Sequence, residues 1–173
     1  VRNICWKLCH DVVNVNYILK MKHIIKSNKC SFCNNIETVT HLFLECKYVV
    51  PLNKLVLTLL NKKCGMKMKL SERVFRFFEF IEKDKIKNDI TLILLSVSRH
   101  VIWLCRNLAN YEGKPMTALA MLEKFINRIK IRLLTDHDRM NSDYFEEIWC
   151  RYNFCKIDEH SNQLVFDASL ETS

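Results

Sequence analysis

Four side chains of the types that hold soft divalent metals stand near one another in this chain: Cys30 and Cys33, then His41 and Cys46. Their spacing is C-x2-C-x7-H-x4-C. A C-x2-C turn can aim two thiolates at one ion because the intervening backbone curls its amides toward the sulfurs, and zinc accepts four such ligands in a tetrahedron. A lone cysteine reads as a small buried apolar residue and a lone histidine as a hydrogen-bonded one. All four together, at these spacings, favour zinc. With every coordination position filled by protein, none is open to substrate, so the expected metal is structural. In isolated finger peptides such a site contributes on the order of 10 kcal/mol to folding.

Other chemistry-bearing groups are weaker. Cys5 and Cys9 lie one helical turn apart beside His10, and Cys150, Cys155 and His160 form a looser set. Core packing explains the first and chance the second. Asp136, His137 and Asp138 read as a polar helix end, since no second His-Asp cluster completes a metal centre. There is no phosphate-cradling glycine loop, no Ser-His-Asp arrangement and no Tyr-x-Asp-Asp pair, so no self-contained enzyme is expected.

The elements that must position the cluster are helical. Two glycines and two prolines in 173 residues leave few sites for the turns of a sheet-rich fold, and the expected class is all-α, with a small zinc-knuckle lobe packed on a helical bundle. Apolar spacing predicts short helices over residues 2–12 and 15–25, a polar loop over 26–46 that needs outside support, and a helix over 48–60 entered or kinked at Pro51. His41 and Cys46 fall on a short helical stretch. Their five-residue separation implies that one ligand sits at a frayed or tightened end.

Ser71 is a suitable cap for a helix running through Ile81, and the charged residues 82–87 end it. The strongest pattern covers residues 89–111, where Ile90, Leu94, Val97, Val101, Leu104, Leu108 and Tyr111 form one apolar seam, widened by Ile93, Leu95, Ile102 and Cys105 until most of the circumference is apolar. After Gly113 and Pro115 a further helix spans 116–134, with Leu119, Leu122, Ile126, Ile129 and Leu133 inward, antiparallel to the last. A final short helix is predicted over 142–152. The expected organisation is a zinc-binding region at 1–60, a helical region at 61–155 and a polar, partly disordered tail at 156–173.

Net charge is +8, divided unevenly: residues 1–87 carry 17 basic and 7 acidic side chains, residues 88–173 carry 10 and 12. A basic half suits a polyanion such as nucleic acid, and a solvated lysine surface is the plain alternative. Lys20, Lys22, Lys26 and Lys29 lead into the cysteine turn, Phe32 lies between its thiolates, and Lys47 and Tyr48 follow the last ligand. These seven could put positive charge around an aromatic tip for phosphates and bases. Equally, Phe32 could simply cover the metal's sulfurs. Lys124, Arg128 and Arg132, at four-residue steps, read as a solvated face. Nine cysteines, an odd number without framework spacing, fit a reducing intracellular compartment, nuclear or cytoplasmic. The longest apolar run falls well short of the ~20 residues of a membrane span. A chain that begins with Val1 and has no leader pattern reads as a piece of a larger polypeptide.

Trp6 in a short helix, Cys30 and Cys33, Glu37, the run His41-Leu42-Phe43 and Cys46 together resemble the zinc-binding domain that follows the polymerase in non-LTR (LINE-like) retrotransposon reverse transcriptases. Residues 102–107, with Trp103, Arg106 and Asn107, are similar to a Trp-x-x-Arg-Asn element in the helical tail of such proteins. The resemblance implies zinc on Cys30, Cys33, His41 and Cys46, with Trp6, Leu42 and Phe43 packed around the knuckle. It also implies a segment that helps hold template RNA or target DNA beside an upstream polymerase domain. Neither a membrane nor a small-molecule substrate is expected. The rival expectation is a zinc-stabilised protein-interaction module, or an inactive retrotransposon relic.

Overall fold

A computed structural model describes residues 2–69, 84–114, 116–161 and 163–170. The helix expected after Ser71 lies outside the described residues. Helix α1 (Arg2–Cys9) and the single long turn α2 (Asn16–Met21) precede the cysteine loop, and α3 (Val50–Thr58) follows it with Pro51 in its first turn. There the missing amide costs nothing and the fixed φ suits the helix, so no kink results. The helix continues through a widened π-turn, Leu59–Lys63.

The longest element, α4 (Lys85–Glu112), begins four residues before its apolar seam. The Asp84 carboxylate accepts from the amides of Ile86 and Lys87 at 2.9 and 3.2 Å, so part of the charged stretch expected to end a helix starts one instead. Gly113 closes α4 in the left-handed region at φ +63°, a conformation that suits glycine. A short connection then leads to Thr117, whose hydroxyl caps α5 (Ala118–Arg139) by accepting from the Ala120 amide. Joined so tightly, α4 and α5 pack side by side with α3 against both, and α1 lies on α4.

The buried stripes follow the expected ones in part. In α4, Ile90, Leu94, Val97 and Val101 are buried as predicted, and so are Leu95, Ile102 and Cys105 of the widened seam. Arg106 is buried with them, while Tyr111 is 72% exposed. In α5, Ile126, Ile129 and Leu133 are buried as predicted, joined by Met121 and Phe125, whereas Leu119 stands 63% exposed. By length and composition α4 could cross a membrane, yet half of its most apolar stretch is buried within the protein and Arg99 and Arg106 are inside with it.

Asp136 belongs to the polar end of α5, as expected, and is a buried acceptor there, taking hydrogen bonds from Arg132 Nε at 2.7 Å and from Trp149 Nε1 at 3.1 Å. It therefore ties α5 to the next elements, α6 (Ser142–Phe145), capped by Asn141, and the π-turn Glu146–Cys150 that continues it.

The described part of the polar tail includes a small hairpin. Strands β1 (Cys155–Ile157) and β2 (Leu164–Phe166) pair antiparallel, Cys155 opposite Phe166, and a 3-10 turn (Ala168–Leu170) buries Leu170 completely. Lys63 fastens this hairpin to the end of α3 through the Asp167 carboxylate at 2.8 Å and the Asn153 carbonyl at 2.7 Å. The fold is thus mostly helical, and the small sheet modifies the all-α expectation.

Candidate metal centre

The cysteine loop is built as a short hairpin. An isolated bridge pairs Lys29 with Ile36, the Cys30 amide donates to the Asn35 carbonyl at 2.7 Å, and the Asn34 amide donates back to the Cys30 carbonyl at 3.0 Å. Asn34 takes the left-handed conformation at φ +67° that this reversal needs, and asparagine tolerates it better than most residues. Cys30 and Cys33 stand at either end of the turn.

His41 and Cys46 come from the next turn of chain. In a regular α-helix, residues five apart lie about 140° round the axis from each other and could not share a ligand. Residues His41–Glu45 instead form a π-turn, closed by the Cys46 amide donating to the His41 carbonyl at 2.8 Å. The widened turn brings Cys46 back beneath His41. The stretch expected to be frayed or tightened is therefore loosened, in the manner of π-bulges found at functional sites. The Thr38 hydroxyl accepts from the His41 amide at 3.0 Å and steadies the start of the turn. From α3, the Asn53 side chain donates to the Phe43 carbonyl at 2.9 Å.

These two supports converge four ligand atoms within 4.8 Å of one another. Cys30 Sγ is 4.0 Å from Cys46 Sγ, and Cys33 Sγ is 3.2 Å from His41 Nε2. A tetrahedron with ordinary zinc bond lengths would place sulfurs ~3.8 Å apart and sulfur and nitrogen ~3.6 Å apart, so these two pairs stand within about 0.4 Å of the spacing the ion requires. Cys30, His41 and Cys46 are buried and Cys33 is half-buried. The Cys46 thiol's hydrogen bond, aided by the backbone at Phe32 and Cys33, pulls the Cys30 thiol down to about 5 despite its burial. The same partnership pushes Cys46 up. A thiolate already favoured beside a thiol that holds its proton is an arrangement a divalent cation resolves by replacing that proton.

Residues 1–52 match the family described as zinc-binding in reverse transcriptase. The match ends inside α3, leaving α4, α5 and the hairpin beyond it. No curated protein and no solved structure matches the chain. With the donor geometry, the family match identifies a structural zinc site on Cys30, Cys33, His41 and Cys46.

Of the residues expected to surround this zinc, Leu42 and Phe43 are fully buried. Trp6 is not among them. It stands 58% exposed on α1 against the ring of His10, because the buried side of that helix is Ile4 and Leu8. The Phe32 and Tyr48 rings meet at 6.2 Å, with the Lys47 ammonium 5.4 Å from the Tyr48 centroid. Lys20 and Lys26 border one depression, and Lys26 and Lys29 border a second. Lys22 reaches the Asn14 side chain at 3.4 Å. The supposed solvated stripe on α5 is partly engaged, since Arg132 is paired with Asp136.

What the sequence did not reveal is the buried polar network behind the loop. Glu37 Oε1 accepts from the Asn16 amide at 2.7 Å and from Arg106 Nε and Nη2 at 3.1 and 2.9 Å. Arg106 also donates to the Asn16 side chain at 2.6 Å, while Asn16 in turn donates to the Lys29 carbonyl at 2.7 Å. Burial pushes the Glu37 carboxyl above the ordinary range, and the guanidinium opposes that push. Trp103, one turn before Arg106, lies 4.9 Å beneath the guanidinium and stacks on Phe43. Both halves of the contact were visible in sequence, as Glu37 and as Trp-x-x-Arg. Nothing in the spacing showed that they meet.

Proposed function

We propose that this chain is a non-catalytic, nucleic-acid-holding segment of a non-LTR retrotransposon reverse transcriptase, lying beside an upstream polymerase domain and helping to hold template RNA or target DNA. The observation that carries the reading is the run of residues 12–36, which contains Lys20, Lys22, Lys26 and Lys29 and not one carboxylate, and which leads into and forms the first half of the zinc loop. Exposed along α2 and the start of the loop, these cations are able to displace counterions from a phosphate backbone. The reading places the protein inside the cell, in the nucleus or cytoplasm.

The test is a fluorescence-anisotropy titration of the zinc-loaded chain with labelled RNA and DNA at salt concentrations from about 50 to 200 mM. The reading requires binding that falls steeply with salt and weakens when Lys20, Lys22, Lys26 and Lys29 are changed together to alanine. Absence of binding at the lowest salt would end it. A protein-interaction module is the second reading, favoured by the exposed apolar side chains Met21, Ile24 and Ile36 on the same region.

A further inference from the structure

We propose that a single-stranded nucleic-acid segment is seated in the groove between the cysteine hairpin and the C-terminal end of α4, with a base against the Tyr111 ring and phosphates at Lys26 and Lys29. The inference rests on the nucleic-acid reading above and narrows it to a strand type and a place.

The groove holds about 480 Å³ and is lined by Lys26, Lys29, Ser31, Asn34, Asn110 and Tyr111 among others. One wall comes from the zinc region and the other from a helix outside the family match. Two of its lining residues, Asn16 and Asn110, join it to the buried network: Asn110 lies between Ser31 and Arg106, and with its amide oxygen toward the guanidinium it accepts from Arg106 and donates to Ser31. Both walls are therefore fixed relative to each other.

Tyr111 is the informative residue. Apolar periodicity along α4 would turn it inward, yet it stands on the groove's rim with most of its surface exposed, and among the described residues no ring packs on it. Such a ring offers a flat face for stacking, and stacking tolerates any base. Opposite it, the ammonium groups of Lys26 and Lys29 have no carboxylate partner among the described residues. The nearest acid in sequence to Tyr111, Glu112, is paired with Lys114 at 2.7 Å. Asn34, exposed at the tip of the cysteine turn, adds an amide that can both donate and accept. Cations on one side and a free aromatic face on the other suit a strand whose bases are unstacked. A duplex keeps those faces inside its own stack.

The test compares the zinc-loaded full chain with Tyr111→Ala, Tyr111→Phe and the double variant Lys26→Ala/Lys29→Ala. The probes are labelled oligo-dT, oligo-U and a duplex of equal length, about twelve nucleotides. The single strands should bind more tightly than the duplex. Tyr111→Ala should weaken them about tenfold and leave the duplex unchanged, whereas Tyr111→Phe should retain binding. The double lysine variant should flatten the logarithmic salt dependence by about 1.4. Zinc content and melting should match the wild type in every variant, since all three side chains are exposed. Single-strand binding that is equal in the wild type and Tyr111→Ala overturns the groove and leaves the broader reading standing. A wild-type chain that binds none of the probes removes both.

Discussion

Arg106 of α4 and Glu37 of the zinc loop, 69 positions apart, form a fully buried ion pair at 2.9 Å. Removing one member of such a pair leaves the other charged and dry, at a cost of about 3–5 kcal/mol. Arg106→Leu should therefore lower the denaturation midpoint sharply, as should Glu37→Leu. In the double variant the losses should be much less than additive. Additive losses would mean that the two groups do not depend on each other.

Zinc should be present at one ion per chain and should be lost from Cys33→Ser. Chelation should raise amide exchange across residues 28–46 first, because that loop is polar and is held by the metal and a few hydrogen bonds. Element analysis beside hydrogen exchange reads both effects. A wild-type chain purified without zinc, with the loop equally protected, would contradict the centre.

Asp136 provides a contrast between buried and exposed partners. Asp136→Ala leaves the Trp149 indole N–H without its acceptor and should cost about 1–3 kcal/mol. Arg132→Ala should cost less than that, because the arginine side chain is 41% exposed and its removal lets water reach the carboxylate edge it covered. Trp149 fluorescence during urea unfolding measures the two together, and equal losses would contradict the assignment of Asp136 as the hub.

Acid should loosen the hairpin. The Lys63 ammonium, with the Ser169 hydroxyl and amide, holds the Asp167 carboxyl down at about 2. A carboxylate depressed in the folded state stabilises it above the unfolded value of ~3.9 and loses that contribution as the pH falls toward 2. The pair is partly exposed, so the effect is less than about 1 kcal/mol. The stability difference between wild type and Asp167→Asn should shrink between about pH 4 and pH 2; a constant difference across that interval would refute the linkage.

The sequence made the zinc ligands legible because their types and spacing are themselves the chemistry. It also made α4 and α5 legible, since long apolar periodicity survives small errors of phase. The π-turn at His41–Glu45 was hidden, for one residue added to a helical turn leaves no mark in apolar spacing over so short a stretch. Leu119 and Tyr111 misled because which side of an amphipathic helix is covered depends on neighbours far along the chain. Nothing in the sequence showed that Arg106 and Asp136 lie inside, for the same reason: a charge becomes an interior residue only when a distant partner meets it. The hairpin after Cys155 lay in a stretch whose polarity concealed Leu164, Phe166 and Leu170.

The guanidinium behind the zinc loop has a consequence for what counts as a domain. A chain cut where the recognisable motif stops, at residue 52, would keep every ligand and lose the cation that neutralises Glu37, together with the indole beneath it. Such a peptide would hold metal over an uncompensated acid and a bare Phe43. The stretch that matches the family is here shorter than the stretch that completes the interior behind it.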